Sequence, residues 1–181
     1  MIIGEHGIAA LTTASLAREL GVSSGAPFRH FASRDEILEA AARRIAELVA
    51  GTYPDASLPP LARLRGLFLA RVDTVGRRSG VARFIFSDQF ALALPPAAVA
   101  RMHELVRGTR AFVLEALEEG AARREIRQDP APAALVPIVM GSLQHLVFLS
   151  ALPPGLDGLP KAEAVFDSLV RLLAPSPEGS H

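Results

Sequence analysis

From residue 33 to residue 50, apolar side chains recur at Ile37, Leu38, Ala41, Ile45, Leu48 and Val49. Steps of three and four place them on one stripe of a helix. Ser33 with Glu36 three residues later forms a capping box that starts this helix. Upstream, Leu16 and Leu20 share one face of a shorter helix that Thr12 caps and Gly21 ends. Val22 is a single apolar plug, and Ser23 or Ser24 caps a second short helix whose inner side is Phe28 and Phe31. Pro27 falls in the first turn of that helix, where a missing N–H costs no intrahelical bond. The stretch GTYPDASLPP over 51–60 is a turn-rich break. Beyond it, helical patterns cover 61–78, 80–92, 96–122, 131–152 and 160–174, with Asp129-Pro130 read as the cap and first residue of the fourth. There is no strand pattern and no internal repeat. The chain therefore reads as all-α. A domain over 1–50 is followed by a helical domain over 51–175, and 176–181 reads as a disordered tail or cloning scar.

Composition narrows the class. The 181 residues are enough for a sizeable core, with 50% hydrophobic and 21% charged, which is not a disordered composition. Net charge is zero, so any basic surface must be local. No cysteine is present, which removes disulfides and thiolate metal sites. The start, MIIGEHG, lacks the layout of a secretory signal, so a cytoplasmic location is expected. The apolar run AALVPIVMGSLQHLVFLSAL is interrupted by Pro137, Gln144 and His145 and has no basic flanks, so it reads as a buried bundle helix and no membrane partner is expected.

The most informative stretch is SLARELGVSSGAPFRHF over 15–31. Two short helices joined at Gly21 form a helix-turn-helix pattern. Leu16, Ala17 and Leu20 clamp the second helix, whose leading turn carries little apolar bulk. Gly25 and Ala26 let its backbone come close to a phosphate or a base edge, and the free N–H groups of the turn at Ser24 favour an anion. Arg29 and His30 have reach, and Arg34 on the next helix can neutralise a phosphate.

The longer string LTTASLARELGVSSGAPFRHFASRDEIL resembles the DNA-binding domain of the tetracycline-repressor (TetR) family of bacterial transcription regulators. Thr12, Leu16, Ala17, Gly21 and Val22 fall at the family's threonine, aliphatic-Ala and Gly-Val positions. Phe28, His30 and Phe31 follow its aromatic-x-His-Phe signature, and Ser33 to Leu38 follow its Ser-Lys-Glu-x-Leu-Leu pattern. The resemblance implies a DNA-binding set of Thr12, Ser24, Gly25, Ala26, Phe28, Arg29, His30 and Arg34. Phe28 replaces the usual tyrosine and drops one phosphate contact, worth about 1 kcal/mol. Arg34 replaces lysine and keeps the charge. Only MIIGEH precedes Gly7, so the first helix is expected to be short or to begin upstream of Met1.

For the rest of the chain the resemblance implies a homodimer and a bound small molecule. Helices 131–152 and 160–174 are broadly apolar, and a pair from each subunit could form a four-helix interface about a two-fold axis. Candidate walls for an apolar effector of unknown identity are Phe68, Phe84, Phe86, Phe90, Met102, Phe112, Met140 and Phe148. Arg83, His103 and Gln144 are the polar candidates. His103 and His145 lie on different helices without a carboxylate at ligand spacing, so neither metal nor cofactor is expected. No catalytic constellation is visible, and an enzyme is not expected. The expected function is a ligand-responsive repressor of TetR type, bound as a dimer to a pseudo-palindromic double-stranded operator. The alternative is a helical ligand-binding or interaction protein whose DNA-binding head has decayed.

Overall fold

Three of the helices open on a proline, because a proline in the first turn gives up an N–H that has no intrahelical partner there. The computed structural model describes residues 31–86, 92–152 and 161–175, and every regular element among them is helical. Helix α1 spans Arg34–Ala50, α2 Pro60–Arg71, α3 Ser79–Phe86, α4 Pro96–Ala122, α5 Pro132–Ser150 and α6 Ala162–Leu173. A π-helical turn, Val72–Gly76, continues directly from α2.

Helix α1 starts as its capping box dictates. Ser33 Oγ accepts from the Glu36 N–H at 3.2 Å, and Glu36 Oε2 reaches back to the Ala32 N–H at 2.6 Å. Its buried stripe is Ile37, Leu38, Ala42, Ile45 and Val49, so Ala42 takes the place expected of Ala41, which like Leu48 is half-buried, and the helix packs on α4. Seventeen residues give α1 a length of about 25 Å. Gly51 closes it, and the chain turns back through Thr52 and Tyr53.

The core is a single cluster shared by all six helices. Helix α4 is its spine, lying against α1, α2 and α5. Phe68 of α2 is fully buried and meets Phe166 of α6 edge-on, ring centres 5.2 Å apart. Arg63 is also buried in α2, and its guanidinium donates to Glu115 Oε1 at 3.4 Å and to Glu119 of α4. The π-helical turn seats closely on α5: a Cβ on Gly76 would come within 2.8 Å of Ser150 Cβ.

Helix α4 ends in a Schellman motif. Arg124 takes the left-handed position at φ 59°, and the Glu125 N–H bonds the Gly120 carbonyl at 2.9 Å. Helix α5 begins later than the Asp129-Pro130 reading. Ala131 is its N-cap and Pro132 opens it, while the Asp129–Pro130 peptide is cis and lies outside the helix. Helix α5 is apolar and long enough to cross a membrane by composition alone. Here Leu135, Val136, Val139, Leu143, Leu146 and Val147 face the core, while Ile138 and Phe148 are exposed.

Candidate functional site

Of the expected DNA-binding set, Thr12, Ser24, Gly25, Ala26, Phe28, Arg29 and His30 lie outside the described residues. Arg34 is described: it is the first residue of α1 and is exposed, beside the capping box. Asp35 and Glu36 in the same first turn offset the unfavourable placement of a cation at a helix N-terminus.

The opposite end of α1 reaches a cavity of about 80 Å³. Val49 from α1, Arg71 at the end of α2 and Val75 of the π-helical turn are its buried floor. Helix α4 lines one side with Leu105 and Thr109, and α5 lines the other with Met140, Leu143 and Val147. Phe86, Met102, Val106 and Gln144 form the outer rim; Phe86, Val106 and Gln144 are exposed. The cavity is therefore lined mostly by apolar side chains, with Arg71 as the one charged residue among its described lining.

Arg71 is held by groups from the turn after α1. Its Nε donates to Thr52 Oγ1 at 2.7 Å, and its guanidinium carbon lies 5.5 Å from the centre of the Tyr53 ring. Thr52 in turn donates to the Val49 carbonyl at 2.6 Å, inside the last turn of α1. Tyr53 Oη and Thr109 Oγ1 are 2.8 Å apart, and Thr109 bonds the Leu105 carbonyl of α4 at 3.0 Å. Arg71 Nη2 is buried with no hydrogen-bond partner among the described residues. Burial pushes the guanidinium below the usual arginine range, while Tyr53 opposes that shift; arginine remains charged regardless.

The cavity gathers Phe86, Met102, Met140 and Gln144 from the expected pocket list. Phe68 lies instead in the core beneath α6, because Phe166 covers it. Phe112, one turn beyond Thr109 on α4, meets Tyr53 instead, ring centres 5.2 Å apart. His103 is exposed on α4, one residue past the rim, since a helix turns 100° per residue. Phe148 is exposed and lies against Phe86 and His145 rather than in the cavity. The side chains of Arg83, Phe84 and Phe90 lie outside the described residues. Sequence reasoning missed Arg71 and Thr109. An arginine between apolar neighbours in FLARV reads as a solvated helix face, and nothing local to it reports the turn that closes over it. Among the described residues no three histidine, aspartate or glutamate side chains gather where a metal could be held.

The family model described as "Bacterial regulatory proteins, tetR family" matches residues 1–41. The HTH-type transcriptional repressor KstR2 of Mycolicibacterium smegmatis is 24% identical over 131 residues, 71% of this chain. The chain spans 63% of that repressor's length. Among solved structures, the ketosteroid transcriptional regulator KstR2 of Mycobacterium tuberculosis superposes with a TM-score of 0.75 at 21% identity, covering 95% of this chain and 87% of that one. AibR, solved with isovaleryl coenzyme A and operator DNA, superposes with a TM-score of 0.74 at 16% identity, covering 95% and 91%. The chain thus resembles the TetR family in its N-terminal sequence and shares the all-helical fold of these regulators along nearly its whole length. The matched proteins are regulators rather than enzymes.

Proposed function

We propose that this protein is a cytoplasmic, ligand-responsive transcriptional regulator of TetR type, acting as a repressor that binds a pseudo-palindromic operator as a homodimer. The observation that carries this reading is the reach of α1. One rigid helix runs from Arg34, at the edge of the segment matched to the TetR model, to Val49 in the cavity floor. Occupancy of the cavity therefore bears on the element that sets the position of the reading head. A ligand shifts DNA binding by as much as its affinity differs between the two head positions.

Support for the dimer comes from apolar residues left exposed on α5 and α6. Ile138 is 54% exposed, Phe148 45% and Leu172 68%, and no atom lies within 4 Å of a Cβ placed on Gly141. Together they offer an apolar surface into which a second copy can pack closely. KstR2 and AibR lend the functional class, and AibR's operator complex lends the double-stranded DNA partner.

The test is fluorescence anisotropy with duplex DNA from the region upstream of the coding sequence, measured over a salt series. Sequence-specific binding that saturates at one dimer per site is the expected result. Arg34→Ala should lower the slope of log K against log salt by about 1, uniformly across sequences. Arg29→Ala should weaken the specific site more than random DNA. Binding that never exceeds that to random duplex would favour the decayed-head alternative and overturn this reading.

A further inference from the structure

Resting on the reading of the chain as a ligand-responsive regulator, we propose that the effector is an apolar monocarboxylic acid that enters the cavity head first. Arg71 binds its carboxylate, and its hydrocarbon tail points to the rim at Phe86 and Val106.

The polar bookkeeping of the cavity floor leads there. The Thr52 hydroxyl proton is committed to the Val49 carbonyl, and its oxygen accepts from Arg71 Nε. The Thr109 hydroxyl proton is committed to the Leu105 carbonyl, so the Tyr53 hydroxyl donates to Thr109. Arg71 Nη2 is left as a buried donor without a partner among the described residues. Among the described residues no acidic side chain lines the cavity or pairs with Arg71. A buried cation without a counter-charge is costly unless an anion arrives, and a carboxylate matches a guanidinium in charge and planarity.

Shape and lining select the rest of the ligand. A cavity of about 80 Å³ is roughly half of one that holds a benzene ring, so it takes a carboxylate with two or three carbons. A longer tail continues past Val106, which is 54% exposed. A phosphate head would need several donors, whereas Arg71 is the one cation among the described lining residues. A thioester carbonyl is neutral and would leave Arg71 without its counter-charge.

The experiment is isothermal titration calorimetry of the full chain, without DNA, against straight and branched saturated acids of four to ten carbons. Their methyl esters and coenzyme A thioesters are titrated in parallel. One or more acids should bind at least about ten-fold more tightly than the matched ester, as a charge-assisted hydrogen bond in a buried site implies. Arg71→Gln should abolish that acid-over-ester preference while leaving ester affinity within a factor of about two. Arg71→Lys, which keeps the charge, should retain part of it, and it covers the case in which the glutamine variant fails to fold. Equal binding of acid and ester, tighter binding of the thioester, or no binding by any acid overturns the proposal. The anisotropy assay reports on the regulator reading separately. Acid binding that leaves operator affinity unchanged overturns ligand-controlled regulation and keeps the anchor. Operator release by the thioester alone does the reverse.

Discussion

Arg71 Nε donates to Thr52 Oγ1 across 2.7 Å, and through that hydroxyl the guanidinium is tied to the last turn of α1. The pair joins two things that the sequence keeps nineteen residues apart: the cavity-lining arginine and the end of the helix whose other end lies in the segment matched to the TetR model. Under the proposed reading, a ligand on Arg71 would act on α1 through this hydroxyl.

Thr52→Val tests that connection. Valine keeps the volume but strands Arg71 Nε and removes the bond to the Val49 carbonyl. The expected loss is about 1–3 kcal/mol of stability, read as a lower urea midpoint with an unchanged m-value. The variant should bind ligand nearly as well and release DNA less. A full ligand response in Thr52→Val would exclude this hydroxyl from the coupling route.

Arg63 provides a contrast in how buried charge is held. Its side chain is 3% exposed, while Glu115 and Glu119 are 70% and 33% exposed. Arg63→Met leaves two carboxylates that water can solvate, so it should cost under about 1 kcal/mol. The Glu115→Gln, Glu119→Gln double variant leaves a buried guanidinium uncompensated and should cost about 2 kcal/mol or more. Denaturant midpoints measured side by side decide the order, and the reverse order would refute the asymmetry.

Gly76 has no room for a side chain. Gly76→Ala drives a methyl group to 2.8 Å from Ser150 Cβ and should cost about 1–3 kcal/mol. Ser150→Gly removes the opposing atom, so the double variant should recover most of the loss beyond the small helix penalty of the new glycine. Ser150→Ala keeps the Cβ and should not rescue. A thermal-melt double-mutant cycle with zero coupling would show that the contact relaxes freely.

The exposed apolar positions on α5 and α6 make the proposed subunit interface testable. Ile138→Glu combined with Leu172→Glu places charge where neither residue is needed for the core. The expected outcome is a folded monomer by sedimentation velocity at micromolar concentration, with specific DNA affinity greatly reduced. An unchanged sedimentation coefficient would remove these faces from the interface.

Much of the architecture was legible in the chain, because its signals are local. Ser33 and Glu36 cap α1 as their spacing requires, and Pro60 and Pro96 open helices where the turn-rich breaks end, while the opening read at Pro130 falls instead at Pro132. Of the expected apolar stripe of α1, Ile37, Leu38, Ile45 and Val49 are buried where their period puts them, while Ala41 and Leu48 are half-buried. The π-helical turn after α2 was not legible, because its wider winding depends on the seat that Gly76 finds against α5.

The cavity shows the same division more sharply. Phe68, Phe112 and Met102 are alike by periodicity, as apolar residues on long helices. Phe166 covers the first, Tyr53 meets the second and the third is left at the rim, and each outcome depends on a residue distant in the chain. Caps, helix periods and the string that matches the TetR family model are written in neighbouring residues, so sequence alone determined them. The burial of Arg71 and the donor it leaves unpaired arise only when the turn after α1, together with α4 and α5, closes around α2. Desolvation is a property of the packed assembly, and so the charge at the cavity floor was decided by tertiary structure.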